Sequence, residues 1–166
     1  MDGRVLARTG FPVDLSGNLF LDPITGDTYY SGVDLVPGQP LYLHGYGFPG
    51  GRIFNGGVNA GSPAFLLPQG DAQGDAPRNL VRGFSAWQEN VGVRRGFHLH
   101  DSLNLQVGME MFNVTNHPNF GYIDPYLPDL LFGQPTKLLN QSFGTTGSIY
   151  EQGGPRSMQI SLRLVF

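Results

Sequence analysis

Few residues in this chain have the types and spacing that chemistry requires. Gly45-Tyr46-Gly47-Phe48-Pro49-Gly50 carries the letters of a dinucleotide-binding turn, whose glycines let backbone approach a pyrophosphate between a buried strand and a helix. No buried strand precedes it, Pro49 and Gly51 obstruct a following helix, and no acidic residue is placed for a ribose, so it reads as a loop. His98 and His100 stand at i and i+2 beside Asp101, which in an extended segment gives one shared side and the makings of a surface metal site. Such residues more often finish a strand and cap a turn. His117 precedes Pro118, which biases it to extended backbone, and His44 lies in an unrelated segment. Glu110 is alone on its strand face, while Asp124, Asp129 and Glu151 are scattered through loop sequence, so no pair is grouped for acid–base work. No G-x-S-x-G elbow occurs around Gly83-Phe84-Ser85 or Phe143-Gly144-Thr145-Thr146-Gly147. The expectation is a protein with no catalytic residues, no cofactor and no metal.

The elements that would position any site are those of an unusual composition. Of 166 residues, 25 are Gly and 13 Pro, which excludes a long-helix protein. Charged residues are 14%, against about 25% in soluble domains, yet 40% hydrophobic and 12% aromatic residues are too many for a disordered tail. A net charge of −3 offers no field for nucleic acid. Without cysteine there is no disulfide frame, thiolate site or thiol nucleophile. Asp2-Gly3-Arg4-Val5-Leu6-Ala7-Arg8 contains too short an apolar stretch for an export signal, which needs about 7 to 15 residues. No run approaches the ~18 apolar residues of a membrane helix. A membrane β-strand, needing only ~10 alternating residues, escapes that test.

Residues 1–80 read as a loop-rich region of short hairpins. Phe11–Leu15 and Leu19–Leu21 flank Ser16-Gly17-Asn18, and Asp22-Pro23-Ile24-Thr25-Gly26-Asp27 leads to Thr28-Tyr29-Tyr30, turn chemistry between β-formers. From Pro37 to Gly74 a Gly/Pro/Asn-rich run around Leu41-Tyr42-Leu43 predicts irregular, mostly coil surface. Residues 81–166 carry three long strands, at about 84–99, 102–114 and 156–166. In the first, Trp87, Val91, Val93, Phe97 and Leu99 share one parity, with Glu89 as the exception. Gln88, Asn90, Gly92, Arg94 and His98 share the other. Residues His100-Asp101-Ser102 supply a turn. The second alternates Leu103, Leu105, Val107, Met109 and Met111 with Asn104, Gln106, Gly108 and Glu110. The third alternates Met158, Ile160, Leu162, Leu164 and Phe166 with Ser157, Gln159, Ser161, Arg163 and Val165. Between them lies a connection over 116–155, far longer than the ~2 to 5 residues of a hairpin loop, with short helical turns expected in Pro128–Phe143.

These strands reach the ~9 to 11 residues that span a bilayer at ~45° tilt, where globular strands average ~5 to 6. One face is aliphatic and the other uncharged-polar, as lipid outside and water inside would require. The pairing of one tight turn with one long loop matches the periplasmic and outer sides of a membrane barrel. That arrangement makes Leu103, Leu105, Val107, Met109, Met111, Met158, Ile160, Leu162, Leu164 and Phe166 lipid-facing. Asn104, Gln106, Glu110, Gln159 and Arg163 become lumen-facing, with Glu110 and Arg163 able to pair or to line the interior. Trp87, Phe97, Phe112 and Phe166, near strand ends, suit an aromatic girdle. The alternative is a small soluble β-rich module whose Gly/Asn/Tyr loops bind a carbohydrate, since alternation alone also describes a sheet covering a core.

Val81-Arg82-Gly83-Phe84 with Trp87, then Leu103-Asn104-Leu105-Gln106, then Glu110-Met111-Phe112-Asn113-Val114-Thr115-Asn116-His117-Pro118-Asn119-Phe120-Gly121, and the ending Gly154 to Phe166 resemble the C-terminal end of TonB-dependent outer-membrane receptors. The likeness is greatest to the Oar-like group, and Leu35-Val36-Pro37-Gly38-Gln39-Pro40-Leu41-Tyr42 resembles the segment before that group's last strands. The resemblance implies a transmembrane β-barrel in the cell outer membrane, gated uptake of a ligand, and energy coupling through the TonB complex. It also implies a terminal strand read by the barrel-assembly machinery, here Met158, Ile160, Leu162, Leu164 and Phe166. The family's 22-stranded barrel needs on the order of 220 residues in strands alone. The expectation is therefore an all-β, incomplete barrel: the last three antiparallel strands with long coil-rich outer loops, without the plug and TonB-contacting segment.

Overall fold

A computed structural model of the chain describes residues 1–70, 72–100, 102–142 and 153–166. Its elements in order are β1 (Asp2–Arg8), β2 (Pro12–Val13), β3 (Leu19–Leu21), β4 (Thr28–Tyr30), β5 (Asp34–Leu35), β6 (Tyr42–His44), β7 (Arg52–Phe54), β8 (Phe65–Leu66), β9 (Val81–Arg82), β10 (Ala86–His100), β11 (Leu103–Phe112), the four-residue helix α1 (Leu139–Ser142), and β12 (Ser157–Val165). The chain divides into two units. One comprises Met1–Thr9, Ser85–Asn119 and Leu138–Phe166, the other Gly10–Phe84 and Phe120–Lys137.

The first unit is a four-stranded antiparallel sheet in the order β1-β10-β11-β12. Alternation sets its register, because a slip of one residue would exchange the two faces. Val91 pairs with Met111 and Met111 with Met158, and the rows Val93–Met109–Ile160 and Phe97–Leu105–Leu164 follow in step. The three expected strands lie within a few residues of their predicted bounds. β11 stops at Phe112 rather than near 114 because Asn113 adopts a left-handed backbone, φ 49°, which a pleated strand does not accommodate. A register shift between His98 and His100 ends the strict alternation of β10, so the shared side expected for the two histidines does not hold beyond that bulge. Asp101 lies outside the described residues.

The sheet has a strand that periodicity did not supply. Asp2–Arg8 pairs with β10 from Asp2↔Gly92 to Arg8↔Ala86, so the loop-rich region of short hairpins expected over 1–80 also supplies one long strand to the sheet. Leu6 stands among the polar positions of β1 and makes Val5-Leu6-Ala7 a short apolar run, which masks the period of two.

The second unit has the irregular chain expected from Pro37 to Gly74, but that chain is not surface alone. The strand pairs β2–β9, β3–β4, β5–β8 and β6–β7 are two or three residues long, and they surround a core of Val33, Phe54, Ala64, Phe65, Val81, Ile123, Leu127 and Phe132. The Phe132 ring meets Phe54 and Phe65 edge-on, at centroid distances of 6.1 and 6.3 Å, the arrangement aromatic quadrupoles favour. Gly133 permits this packing: at φ +73° a Cβ there would stand 2.5 Å from the Phe54 nitrogen. Part of the long connection over 116–155 thus has structure of its own, since Ile123, Leu127 and Phe132 belong to this core, while residues 143–152 of it lie outside the described residues. The expected hairpin from Leu19–Leu21 to Thr28–Tyr30 forms with Leu19 opposite Tyr30. Gly45–Gly50 lies between the paired strands β6 and β7 and leads into a three-residue 3-10 turn, a hairpin tip with no helix to receive a phosphate.

Candidate membrane-spanning surface

Strand length and face chemistry define the surface of the first unit. The ten residues of β11, at ~3.4 Å each and ~40° tilt, rise about 26 Å, matching the ~25 Å apolar band of an outer-membrane barrel. One face collects Leu103, Leu105, Val107, Met109 and Met111 from β11 and Met158, Ile160, Leu162 and Leu164 from β12, with Phe166 beyond its end. Val91, Val93 and Phe97 join them from β10, and Val5 and Ala7 from β1. Much of this face is uncovered: Ile160 is 65% exposed, Leu162 72% and Leu164 58%. Soluble proteins rarely leave so continuous an apolar patch open. Glu89 interrupts it as expected. Arg95, in the row with Val107 and Leu162, is a second interruption that the parity reading passed over, and its guanidinium lies 5.5 Å from the Phe97 ring centroid.

The opposite face is polar and small. Gly92, Glu110 and Gln159 form one row, Arg94, Gly108 and Ser161 the next, Gly96, Gln106 and Arg163 the third, and His98 and Asn104 a fourth with Val165. Glu110 takes its charge partner from β10, since the Arg94 guanidinium donates to its carboxylate. Arg163 stands opposite Gln106, so the pairing of Glu110 with Arg163 that parity allowed is not made. His98 Nδ1 is 3.0 Å from Asn104 Oδ1, a contact that finishes the strand pair. Phe112 is on this polar face, opposite Ser157, whereas Trp87 and Phe97 are on the apolar one.

At the end of the sheet where β11 stops, a buried amide network holds three strands together. Asn113 is 1% exposed, Asn119 1% and Gln88 2%. Asn113 Nδ2 donates to the carbonyls of His117 and Gly154, both at 2.9 Å, while its Oδ1 accepts the His117 N–H at 3.0 Å. Its own N–H donates to Asn90 Oδ1 at 3.1 Å, and Gln88 Nε2 donates to the same oxygen at 3.0 Å. Gln88 Oε1 accepts the Gly153 N–H at 2.6 Å, and Asn119 Oδ1 accepts the Trp87 N–H at 2.8 Å. The His117 ring lies 4.7 Å from that of Trp87. The Asn-rich run that carried the family resemblance is thus a lock between β10, β11 and the approach to β12. Gln88 and Asn90 were read only as polar-face positions, because nothing in their spacing shows partners so distant in sequence.

The connections leave the sheet asymmetrically. Only residues 101–102 separate β10 from β11. The segments joining β1 to β10 and β11 to β12 both depart from the other end, where Arg8 faces Ala86 and Phe112 faces Ser157.

No curated protein and no solved structure matches the chain. A family model described as the outer membrane beta barrel domain matches residues 1–159, in agreement with an all-β chain whose spanning-length strands separate an apolar face from a polar one. The chain belongs to the outer membrane beta barrel domain family, and its place is the outer membrane.

Proposed function

We propose that the chain supplies terminal strands and outer loops to a TonB-dependent receptor of the Oar-like group, which takes up a ligand across the outer membrane with energy from the TonB complex. The observation that carries the membrane part of this reading is the apolar face of β10, β11 and β12, half-buried along β11 and exposed along β12, backed by a polar face with a paired Arg94 and Glu110. Lipid covers the first and the lumen wets the second. The two long connections leave from the end opposite the tight turn, and that end is the outer side. Among the described residues no further strand pairs with the outer edges of β1 and β12, and hydrocarbon does not tolerate an open sheet edge, so further strands close the barrel in the mature receptor. The terminal strand with Phe166 is the segment offered to the assembly machinery. The protein is not an enzyme. A soluble carbohydrate-binding module would leave the same apolar face in water, and no observation favours it.

The chain has no cysteine, which allows a direct test. Single cysteines at Leu105, Met109 and Ile160, labelled with an environment-sensitive dye in the membrane-inserted receptor, should be quenched by brominated lipid. Those at Gln106 and Gln159 should be quenched by aqueous iodide. Equal behaviour of the two sets would refute the assignment of faces. Energy coupling is tested by epistasis: across a nutrient panel, deleting the receptor should cause no further defect in cells that already lack TonB. An added defect there would remove TonB dependence from the reading.

A further inference from the structure

The second unit contains a cavity of about 340 Å³ bounded by residues after β2, by the end of β4 and by the segment from Gln73 to Leu80. That volume is at the lower end of the ~300 to 1,000 Å³ of small-molecule sites. Its wall is fixed by backbone. The Gly17 N–H donates to the Ser31 carbonyl at 2.8 Å, Gly32 N–H to Gln73 at 2.8 Å, and Ala76 N–H to Val33 at 3.0 Å. Glycine makes these approaches possible: a Cβ on Gly17 would stand 2.5 Å from the Gly32 oxygen, and one on Gly74, at φ +79°, 2.6 Å from the Val33 oxygen. A wall so pinned does not need a ligand to shape it.

The lining combines an aromatic ring with unused polar groups. Tyr30 is 58% exposed, and its ring is braced edge-on by Tyr126 at 5.6 Å. Asp14 Oδ1 accepts the Asn79 N–H at 2.8 Å, which holds Asn79 in its left-handed conformation, φ 58°, and with it the neighbouring Arg78. The other Asp14 oxygen, the Arg78 guanidinium, the Gln73 amide and the Tyr30 hydroxyl have no hydrogen-bond partner among the described residues, and all four residues line the cavity. One carboxylate and one guanidinium leave the lining without net charge, which disfavours an ionic ligand. A carboxylate held by the Asn79 N–H, with uncommitted donors beside an open ring, suits a molecule with hydroxyls at several angles and an apolar C–H face.

We propose that this cavity binds a neutral saccharide of one or two pyranose rings, seated against Tyr30 and hydrogen-bonded by Asp14, Gln73 and Arg78. That the sugar is cargo for the barrel rests on the uptake function proposed above, whereas its binding here does not. The test is a glycan array of neutral and acidic oligosaccharides probed with the full chain, fluorescently labelled and held in detergent. Neutral glycans should bind. Tyr30→Ala and Arg78→Ala should each weaken binding at least tenfold, while Tyr30→Phe, which keeps the ring, should lose only a few-fold. Tyr46→Ala, at a fully exposed residue outside the cavity, should match the unaltered chain. Binding of acidic glycans alone, no glycan binding, or a loss shared by Tyr46→Ala would overturn the proposal, as would unaltered binding in both alanine variants. Uptake is read separately, by the epistasis with TonB, so a sugar-binding chain that fails that test would refute the transport reading alone.

Discussion

Replacing Asn113 by alanine should destabilise the membrane-inserted sheet more than any surface change of similar size. The side chain makes three hydrogen bonds in a site that is 1% exposed. At a net ~1 kcal/mol per bond the loss is about 3 kcal/mol. Alanine at φ 49° adds about 1 kcal/mol, because only Gly, Asn and Asp visit that region readily. The total is about 4 kcal/mol. Asn116 provides the internal control: it has a similar backbone, φ 52°, but among the described residues its Oδ1 accepts only the Arg156 N–H, at 3.3 Å in an exposed position. Asn116→Ala should therefore cost only about 1 to 2 kcal/mol. The measurement is urea unfolding of the inserted barrel protein in lipid vesicles, with Trp87, whose ring is 4.7 Å from that of His117, as a local fluorescence reporter. A loss below ~1 kcal/mol for Asn113→Ala, judged against the ~1 kcal/mol of a single bond, would refute the lock. So would equal losses in the two variants, because the backbone alone would then account for both.

Two further outcomes follow from particular residues. Arg95 interrupts the apolar face in mid-strand, and an arginine facing lipid near the midplane costs about 2 to 4 kcal/mol; Arg95→Leu should raise the urea midpoint in vesicles, and a lowered midpoint would show that the guanidinium has a partner in the inserted protein. Asp22 lies in the β3–β4 turn, where the backbone N–H groups of Ile24 and then Thr25 hold its carboxyl below the ordinary carboxylate range. The contribution of this turn is thus present above the unfolded carboxylate pKa of ~3.9 and lost as pH falls through the lower folded value. Amide shifts of Ile24 and Thr25 should titrate with a midpoint below that of a model aspartate, and a midpoint at or above it would contradict the two bonds.

The two faces were legible because a strand has a period of two and β11 alternates without a fault from Leu103 to Met111. Once the faces are known, register follows, since any slip in pairing would place Asn104 or Gln106 among the leucines. β1 was not legible. Its apolar Val5-Leu6-Ala7 has no period, and its strand character comes from pairing with Ala86 to Gly92 rather than from its own pattern. The core of the second unit was hidden for a related reason. Strands of two or three residues are too short to show a period, so Phe54, Phe65 and Phe132 read as scattered aromatics until three segments bring them together. The cavity beside Tyr30 was hidden further still, because glycine and backbone rather than any motif make its wall.

Periodic patterning therefore specifies what each face meets, while the ends of the strands depend on residues with no period at all. β11 has apolar and polar residues in good order up to Phe112, and nothing in that order says where to stop. Asn113 ends it by entering the left-handed region and turning its amide onto His117 and Gly154. A strand that ran on would carry Thr115 and Asn116 along the sheet, would take the Asn113 N–H from Asn90 Oδ1 and would draw Gly154, with the neighbouring Gly153, away from the buried Gln88 Oε1, each lost partner costing about 1 to 3 kcal/mol where the group is buried. The lock thus limits spanning length as well as stability. Substitutions within the Asn-rich run should shift where the sheet ends before they disturb which face meets lipid.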